Sequence, residues 1–163
     1  MSKVSQRNRG MLLERMIEQS NKQYRLMGVA LINKIPTPTK ISQKKGYAFY
    51  SEKSTVDFIG VCEGVYVAFD TKEVQGKAFP FRRVSQHQID FLRDTHKHGG
   101  DAFLLILFKD YNELYKLTIN QLVELTHTLD RKSIPYQWFK DNLKAIRGRN
   151  GVYYDYLNIA HNN

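Results

Sequence analysis

Leu12, Leu13, Met16, Ile17, Ser20 and Tyr24 recur at three-and-four spacing with polar residues between them, which predicts a helix over 9–27 that stops at Gly28. Val29 to Ile35 then reads as a strand. Pro36-Thr37-Pro38 ends it, because proline cannot continue a central ladder. Residues 39–53 are polar and basic around Tyr47, Phe49 and Tyr50, and read as a protruding loop or weak hairpin. Two strands follow at 56–62 and 65–72, joined at Glu63-Gly64. Ser85 to His98 reads as a helix with a Ser-x-x-Gln capping box, ended by Gly99-Gly100. Ala102 to Phe108 is almost wholly apolar, the pattern of a central strand buried on both faces. Leu114 to Leu117 reads as a shorter strand, Thr118 to Leu129 as a third helix and Pro135 to Leu143 as a fourth. Val152 to Ile159 reads as a final edge strand. This order of elements makes one α/β domain over 1–163, with a short basic projection at about 39–53.

Composition narrows the function. No apolar run approaches the roughly 18–20 residues needed to span a bilayer, so no membrane is expected. The first ten residues lack the apolar stretch of a secretory signal. A single cysteine, Cys62, excludes an internal disulfide and fits a reducing compartment, so a cytoplasmic location is expected. The net charge of +9 is unevenly spread. Residues 1–53 hold 11 Lys or Arg against 3 Asp or Glu, whereas 54–163 hold 14 against 13. Such a basic block suits a polyanion through counterion release, or is a solvated surface.

The candidate chemistry lies in the hairpin. Residues two apart on a strand share a face, so Asp70 and Lys72 point one way. With Glu63-Gly64 as a two-residue turn, Asp57 falls directly opposite Asp70. Opposed residues have Cβ atoms about 4.5–5.5 Å apart, and facing like charges are destabilising. A hard divalent cation relieves such a pair and can polarise a phosphoryl oxygen. Lys72 would stabilise the charge that develops there. The other reading is an ordinary cross-strand salt bridge on an exposed face.

An acid followed on the next strand by acid-x-Lys, here Asp57 and Asp70-Thr71-Lys72, resembles the PD-(D/E)xK nuclease superfamily. Further along the chain, Asn8-Arg9-Gly10-Met11, Leu13-Glu14, Lys34, Pro36-Thr37-Pro38, Ser54-Thr55, Lys72-Glu73, Phe79-Pro80, His87-Gln88-Ile89, Gly99-Gly100 and Arg131 to Tyr136 resemble the RecU family of Holliday junction resolvases. The resemblance covers nearly the whole chain. It implies a restriction-endonuclease-like core, a central mixed β-sheet flanked by helices. It also implies a homodimer that nicks four-way junctions with Mg²⁺ or Mn²⁺. Asp57 and Asp70 would be metal ligands, with the Thr71 carbonyl as a third. Lys72 would be the active-site lysine. Glu14 would hold the metal directly or through water, and Gln88 would orient Lys72 or the attacking water. A recombinase or branch-migration partner is left open. The family has Glu where this chain has Asp70 and Thr where it has Val56, and its projection after Pro38 is longer.

Candidate DNA contacts are Arg7, Arg9, Lys34, Lys40, Lys44, Lys45, Thr55, Arg82 and Arg83, with Arg147 and Arg149 as weaker ones. For Arg82-Arg83 a solvated loop is the equal alternative. His96 and His98 fit a helix C-terminus better than a metal pair, and Trp138-Phe139 fits the core. Two rivals stand beside the resolvase: a related nuclease cutting duplex, flap or single-stranded DNA, and a non-catalytic DNA-binding accessory protein.

Overall fold

The structure, a computed structural model, describes residues 11–36 and 55–159. The projection expected at 39–53 lies outside them. Helix α1 (Met11–Leu26) buries Leu13, Ile17, Ser20, Asn21 and Tyr24 along one face, the stripe expected from the spacing. Gly28, at φ 71°, turns the chain into β1 (Ala30–Lys34). β2 (Phe58–Cys62) and β3 (Val65–Val74) form the expected hairpin. Glu63 and Gly64 both have positive φ, 50° and 81°, as a type I′ turn requires. Cys62 pairs with Val65 and Phe58 with Phe69, the register read from the sequence.

After β3 the chain makes a short strand β4 (Ala78–Pro80), a single 3-10 turn at Phe81–Arg83, and helix α2 (Gln86–Lys97). The helix returns the chain so that β5 (Asp101–Phe108) pairs parallel to β3. β6 (Glu113–Thr118) pairs antiparallel to β5, and helix α3 (Ile119–Thr128) follows. Both helices start with complete capping boxes, Ser85 with Gln88 and Thr118 with Gln121. β7 (Ser133–Pro135) and helix α4 (Tyr136–Asn142) complete the elements. The main sheet has the order β1-β2-β3-β5-β6 and is mixed, as expected.

A core packs on each face of this sheet. Ala68, Leu104, Ile106 and Phe108 meet Leu92 and Leu122 on one side; Phe69, Phe103 and Leu105 meet Leu13 and Ile17 on the other. β5 supplies both cores, which is why its sequence lacks alternation. Among the described residues, no helix is long and apolar enough to cross a membrane.

Two features depart from expectation. β4 and β7 pair as a separate two-stranded sheet that the sequence did not announce. The edge strand expected at Val152 to Ile159 does not form. Val152, Asp155 and Tyr156 are buried, so the segment packs against the core without the two-residue alternation of a strand. The backbone is tied to side chains on α1 rather than to a strand. Tyr154 N–H donates to Ser20 Oγ at 2.8 Å, and Leu157 N–H to the Tyr24 hydroxyl at 3.2 Å. Ile146 N–H, donating to the Leu114 carbonyl at 2.7 Å, takes the edge of β6 instead.

Candidate active site

The site forms where β2 begins and β3 nears its end. β2 starts at Phe58, so Asp57 sits on a bend just outside the ladder. Its Oδ2 accepts from both the backbone N–H and the hydroxyl of Thr71, each at 2.8 Å. These two bonds fix the Asp57 carboxylate across the strand end from Asp70. Asp70 is 1% exposed. Burial first, then the charge of Asp57, pushes its carboxyl up to about 7; Lys72 pulls in the other direction. Lys72 Nζ stands 2.5 Å from Asp70 Oδ2, yet that oxygen is buried with no hydrogen bond of acceptable geometry.

A buried carboxylate facing a second carboxylate is a cation-seeking arrangement, here met in part by the Lys72 ammonium. Its donors are hard oxygens, the set suited to Mg²⁺ or Mn²⁺. Asp57, Asp70 and the Thr71 carbonyl therefore fit such an ion. Among the described residues, no group of three or more His, Cys, Asp or Glu side chains stands close enough to share a metal. Glu14 accordingly stands outside the pair. Its Oε2 is held at 2.7 Å by Lys34 Nζ, and that bond raises the lysine's pKa.

Other expected residues have definite places. Gln88 lies in the first turn of α2, where its Oε1 accepts from Ser85 N–H at 3.2 Å. Thr55 is half-buried two residues before Asp57. Arg82 and Arg83 are exposed in the 3-10 turn. Arg83 donates to the Glu73 carbonyl at 3.1 Å, drawing it beside the strand that carries Lys72. Arg7, Arg9, Lys40, Lys44 and Lys45 lie outside the described residues.

Two polar groups at this end of the sheet carried no assigned role from sequence. Glu73 is buried with its Oε2 unpaired, and His87, beside Gln88, buries its Nε2 without a hydrogen-bond partner. Both fall within stretches quoted for the resemblance, but only burial separates them from solvated charges.

A facing acid pair with one member buried and a lysine beside it, at the ends of adjacent strands in a mixed sheet, is the equipment of a hydrolytic nuclease. The chain belongs to the RecU family: the family model described as Recombination protein U matches residues 8–162. The chain is 37% identical over 141 residues to the Holliday junction resolvase RecU of Geobacillus sp. strain WCH70, covering 78% of this chain and 70% of that one. It is 36% identical over 140 residues to the RecU resolvase of Mycoplasmopsis pulmonis, with 86% and 85% covered. It is 33% identical over 168 residues to that of Geobacillus kaustophilus, with 95% and 84% covered. Among solved structures it is similar to Hjc, a Holliday junction resolvase from Archaeoglobus fulgidus. The TM-score is 0.44 at 11% identity, over 75% of this chain and 85% of that one.

Proposed function

We propose that this protein is a structure-selective endonuclease that resolves four-way DNA junctions during recombination, by hydrolysing one phosphodiester per subunit. The observation that carries this reading is the facing pair Asp57 and Asp70 with Lys72 at 2.5 Å from the second. A protein that only binds DNA gains nothing from two carboxylates aimed at phosphate.

Asp57, Asp70 and the Thr71 carbonyl would hold Mg²⁺ or Mn²⁺. The bound ion supplies Lewis-acid polarisation of the phosphoryl group and a lower pKa for water. The chain's own groups do the rest. Thr71 holds Asp57 in place through two bonds to one oxygen, leaving Oδ1 free of them. Lys72 stabilises negative charge developing on the phosphoryl oxygens, which a partly buried ammonium does more strongly than a fully solvated one. Glu14 acts through water, and its Lys34 partner contributes positive charge at the same end of the sheet. Gln88 steadies the start of α2 and orients Lys72 or the water from there. Arg82 and Arg83 take flanking phosphates.

The enzyme acts as a homodimer in the cytoplasm. A four-way junction presents two opposed strands related by a two-fold axis, and a symmetric dimer presents two sites the same way. Leu31, Val61 and Tyr66 support this arrangement. They align across β1, β2 and β3 on the face opposite α1, each 42–44% exposed. A second copy would cover that row.

The test uses a synthetic mobile four-way junction and a linear duplex of matched sequence, each with Mg²⁺, Mn²⁺ or EDTA. Paired symmetric nicks in the junction alone, and only with metal, are expected. Equal metal-dependent cutting of both substrates makes the protein a general nuclease. Binding without cutting under every condition overturns the enzyme reading.

A further inference from the structure

β1 stands at one end of the main sheet, and its outer edge meets no other strand among the described residues. The strand at the other end differs, because Ile146 docks on β6 through the Leu114 carbonyl. The register shows which groups β1 leaves open. Ile35 N–H donates to the Asp57 carbonyl at 2.7 Å, and these two residues continue the β1–β2 register by one step. In an antiparallel pair, hydrogen-bonded and non-hydrogen-bonded positions alternate. Ile35, Asn33 and Leu31 therefore bond to β2, while Ala30, Ile32 and Lys34 turn their N–H and C=O outward. Those outward groups have no backbone partner among the described residues.

An open edge pairs with another chain unless proline, charge or a bulge blocks it. Here the blocks are not in force. Pro36 lies beyond the end of the strand. Lys34 is the one charge on β1, and Glu14 holds it at 2.7 Å and turns it back toward α1. Gly60 lets β1 lie close against β2, since a Cβ there would stand 2.7 Å from Ile32 Cα. The edge is a seated strand with its outward groups in register.

The two sides of the edge are unlike. On the α1 side, Lys22 and Arg25 line a cleft of about 210 Å³ together with Ile32, Asn33 and Lys34. Both cations are exposed, and neither makes an ion pair with a described residue. The acid of this cleft, Glu18, acts on Lys34, whose pKa it helps Glu14 to raise. Arg25 also lines a second cleft of about 530 Å³, around Gly28, Leu31, Val61 and the Glu63-Gly64 turn. On the opposite side of the sheet lies the exposed apolar row of Leu31, Val61 and Tyr66.

A strand added to this edge alternates its side chains between the two sides. Residues opposite Ala30 and Ile32 fall beside Lys22 and Arg25, where carboxylates fit. Residues opposite Leu31 and Asn33 lengthen the Leu31 row, where apolar side chains fit. We propose that the outer edge of β1 takes an extended segment of a partner protein in which acidic and apolar residues alternate. In such complexes backbone pairing supplies affinity and alternate side chains supply selection. Charge disfavours a second copy of this chain at the same edge. β1 carries a lysine and no acid, so pairing with itself would set Lys34 on the side of Lys22 and Arg25. The second copy in the dimer covers the Leu31 row from its open face and leaves the edge free. Nuclease activity is not needed for this contact.

The test titrates the whole chain into a fluorescein-labelled peptide of four Glu-Val repeats and follows anisotropy. Saturable binding is expected. In an antiparallel addition the glutamates lie opposite Ala30 and Ile32, so their amides face β1. N-methylation of the glutamate amides should abolish binding, and N-methylation of the valine amides should leave it. Lys22→Gln/Arg25→Gln should weaken binding about tenfold, the order of two exposed ion pairs, with an unchanged melting temperature. Arg93→Gln/Lys97→Gln removes the same charge from the exposed face of α2 and should bind as wild type does. No saturable binding, or equal binding of the two methylated peptides, overturns the proposal. An equal loss in both charge pairs reduces the contact to general attraction and overturns it too. A peptide that halves the sedimenting mass of the protein makes β1 the interface between copies, which also overturns it. Each of these outcomes is read without DNA and leaves the nuclease reading to its own assay.

Discussion

Asp57 and Thr71 are joined by two hydrogen bonds to a single carboxylate oxygen, one from the backbone and one from the hydroxyl, both at 2.8 Å. The strand that would carry Asp57 starts one residue later, so its side chain is aimed by Thr71 and not by the ladder. The carboxylate is thereby locked against Asp70, whose carboxyl is pushed up to about 7, by its burial first and by the charge of Asp57 second.

A first consequence concerns stability without metal. The folded chain holds a proton on Asp70 more tightly than the unfolded chain does. Its stabilising contribution is therefore full below about pH 4, near the ordinary carboxylate value, and is lost as pH rises through about 7. In EDTA, wild type should lose more thermal stability between pH 5 and pH 8 than Asp70→Asn does. Parallel melting curves for the two proteins across that range would count against a strained carboxylate pair.

Lys72 is expected to act in the chemistry rather than in holding the ion. Lys72→Met should lower junction cleavage by about a hundredfold or more, the order seen when one charge-stabilising donor is removed. Mn²⁺ binding followed by calorimetry should persist. Loss of Mn²⁺ binding in this variant would make the lysine a structural support of the acid pair.

The segment after α4 depends on buried polar bonds to α1. Tyr24→Phe leaves Leu157 N–H and Asp155 Oδ1 without the hydroxyl they share. A cost of about 1–3 kcal/mol is expected, a melting shift of several degrees for a chain of this size. An unchanged melting temperature would mean that water replaces the hydroxyl at no cost.

Glu113 offers a stability effect of the opposite sign. Hydrogen bonds from Tyr115 and then Tyr136 hold its carboxyl below the ordinary carboxylate range. This contribution is present above the ordinary value and is lost as pH falls through the depressed one. Tyr136→Phe should therefore destabilise the protein at neutral pH, with the difference from wild type shrinking in acid. A difference that stays constant as the pH drops would locate the effect in lost packing of the Tyr111–Tyr136 stack.

Much of this was legible in the sequence where one local rule decided the outcome. Two positive-φ residues at Glu63-Gly64 fixed the hairpin register, and hence the faces of Asp70 and Lys72. The capping boxes at Ser85 and Thr118 fixed two helix starts. The orientation of Asp57 was not legible, because it depends on β2 starting at Phe58 and on a hydroxyl from the neighbouring strand. β4 and β7 are three residues each and contain proline, too short to show any period. Val152 to Ile159 is rich in apolar and aromatic residues like an edge strand, but the partners of its backbone include Ser20 and Tyr24, more than 130 residues away. Those two residues read as part of an apolar stripe; their hydroxyls turned out to be what holds the C-terminal segment.

The most direct test of the acid pair measures binding and cleavage of one four-way junction on the same samples of wild type and Asp70→Asn in Mn²⁺. The variant should bind nearly as well as wild type. It should cut about a thousandfold more slowly, as expected from losing several kcal/mol of metal-assisted stabilisation. Cleavage at the wild-type rate would contradict the assignment of Asp70, and with it the site built around Asp57 and Thr71.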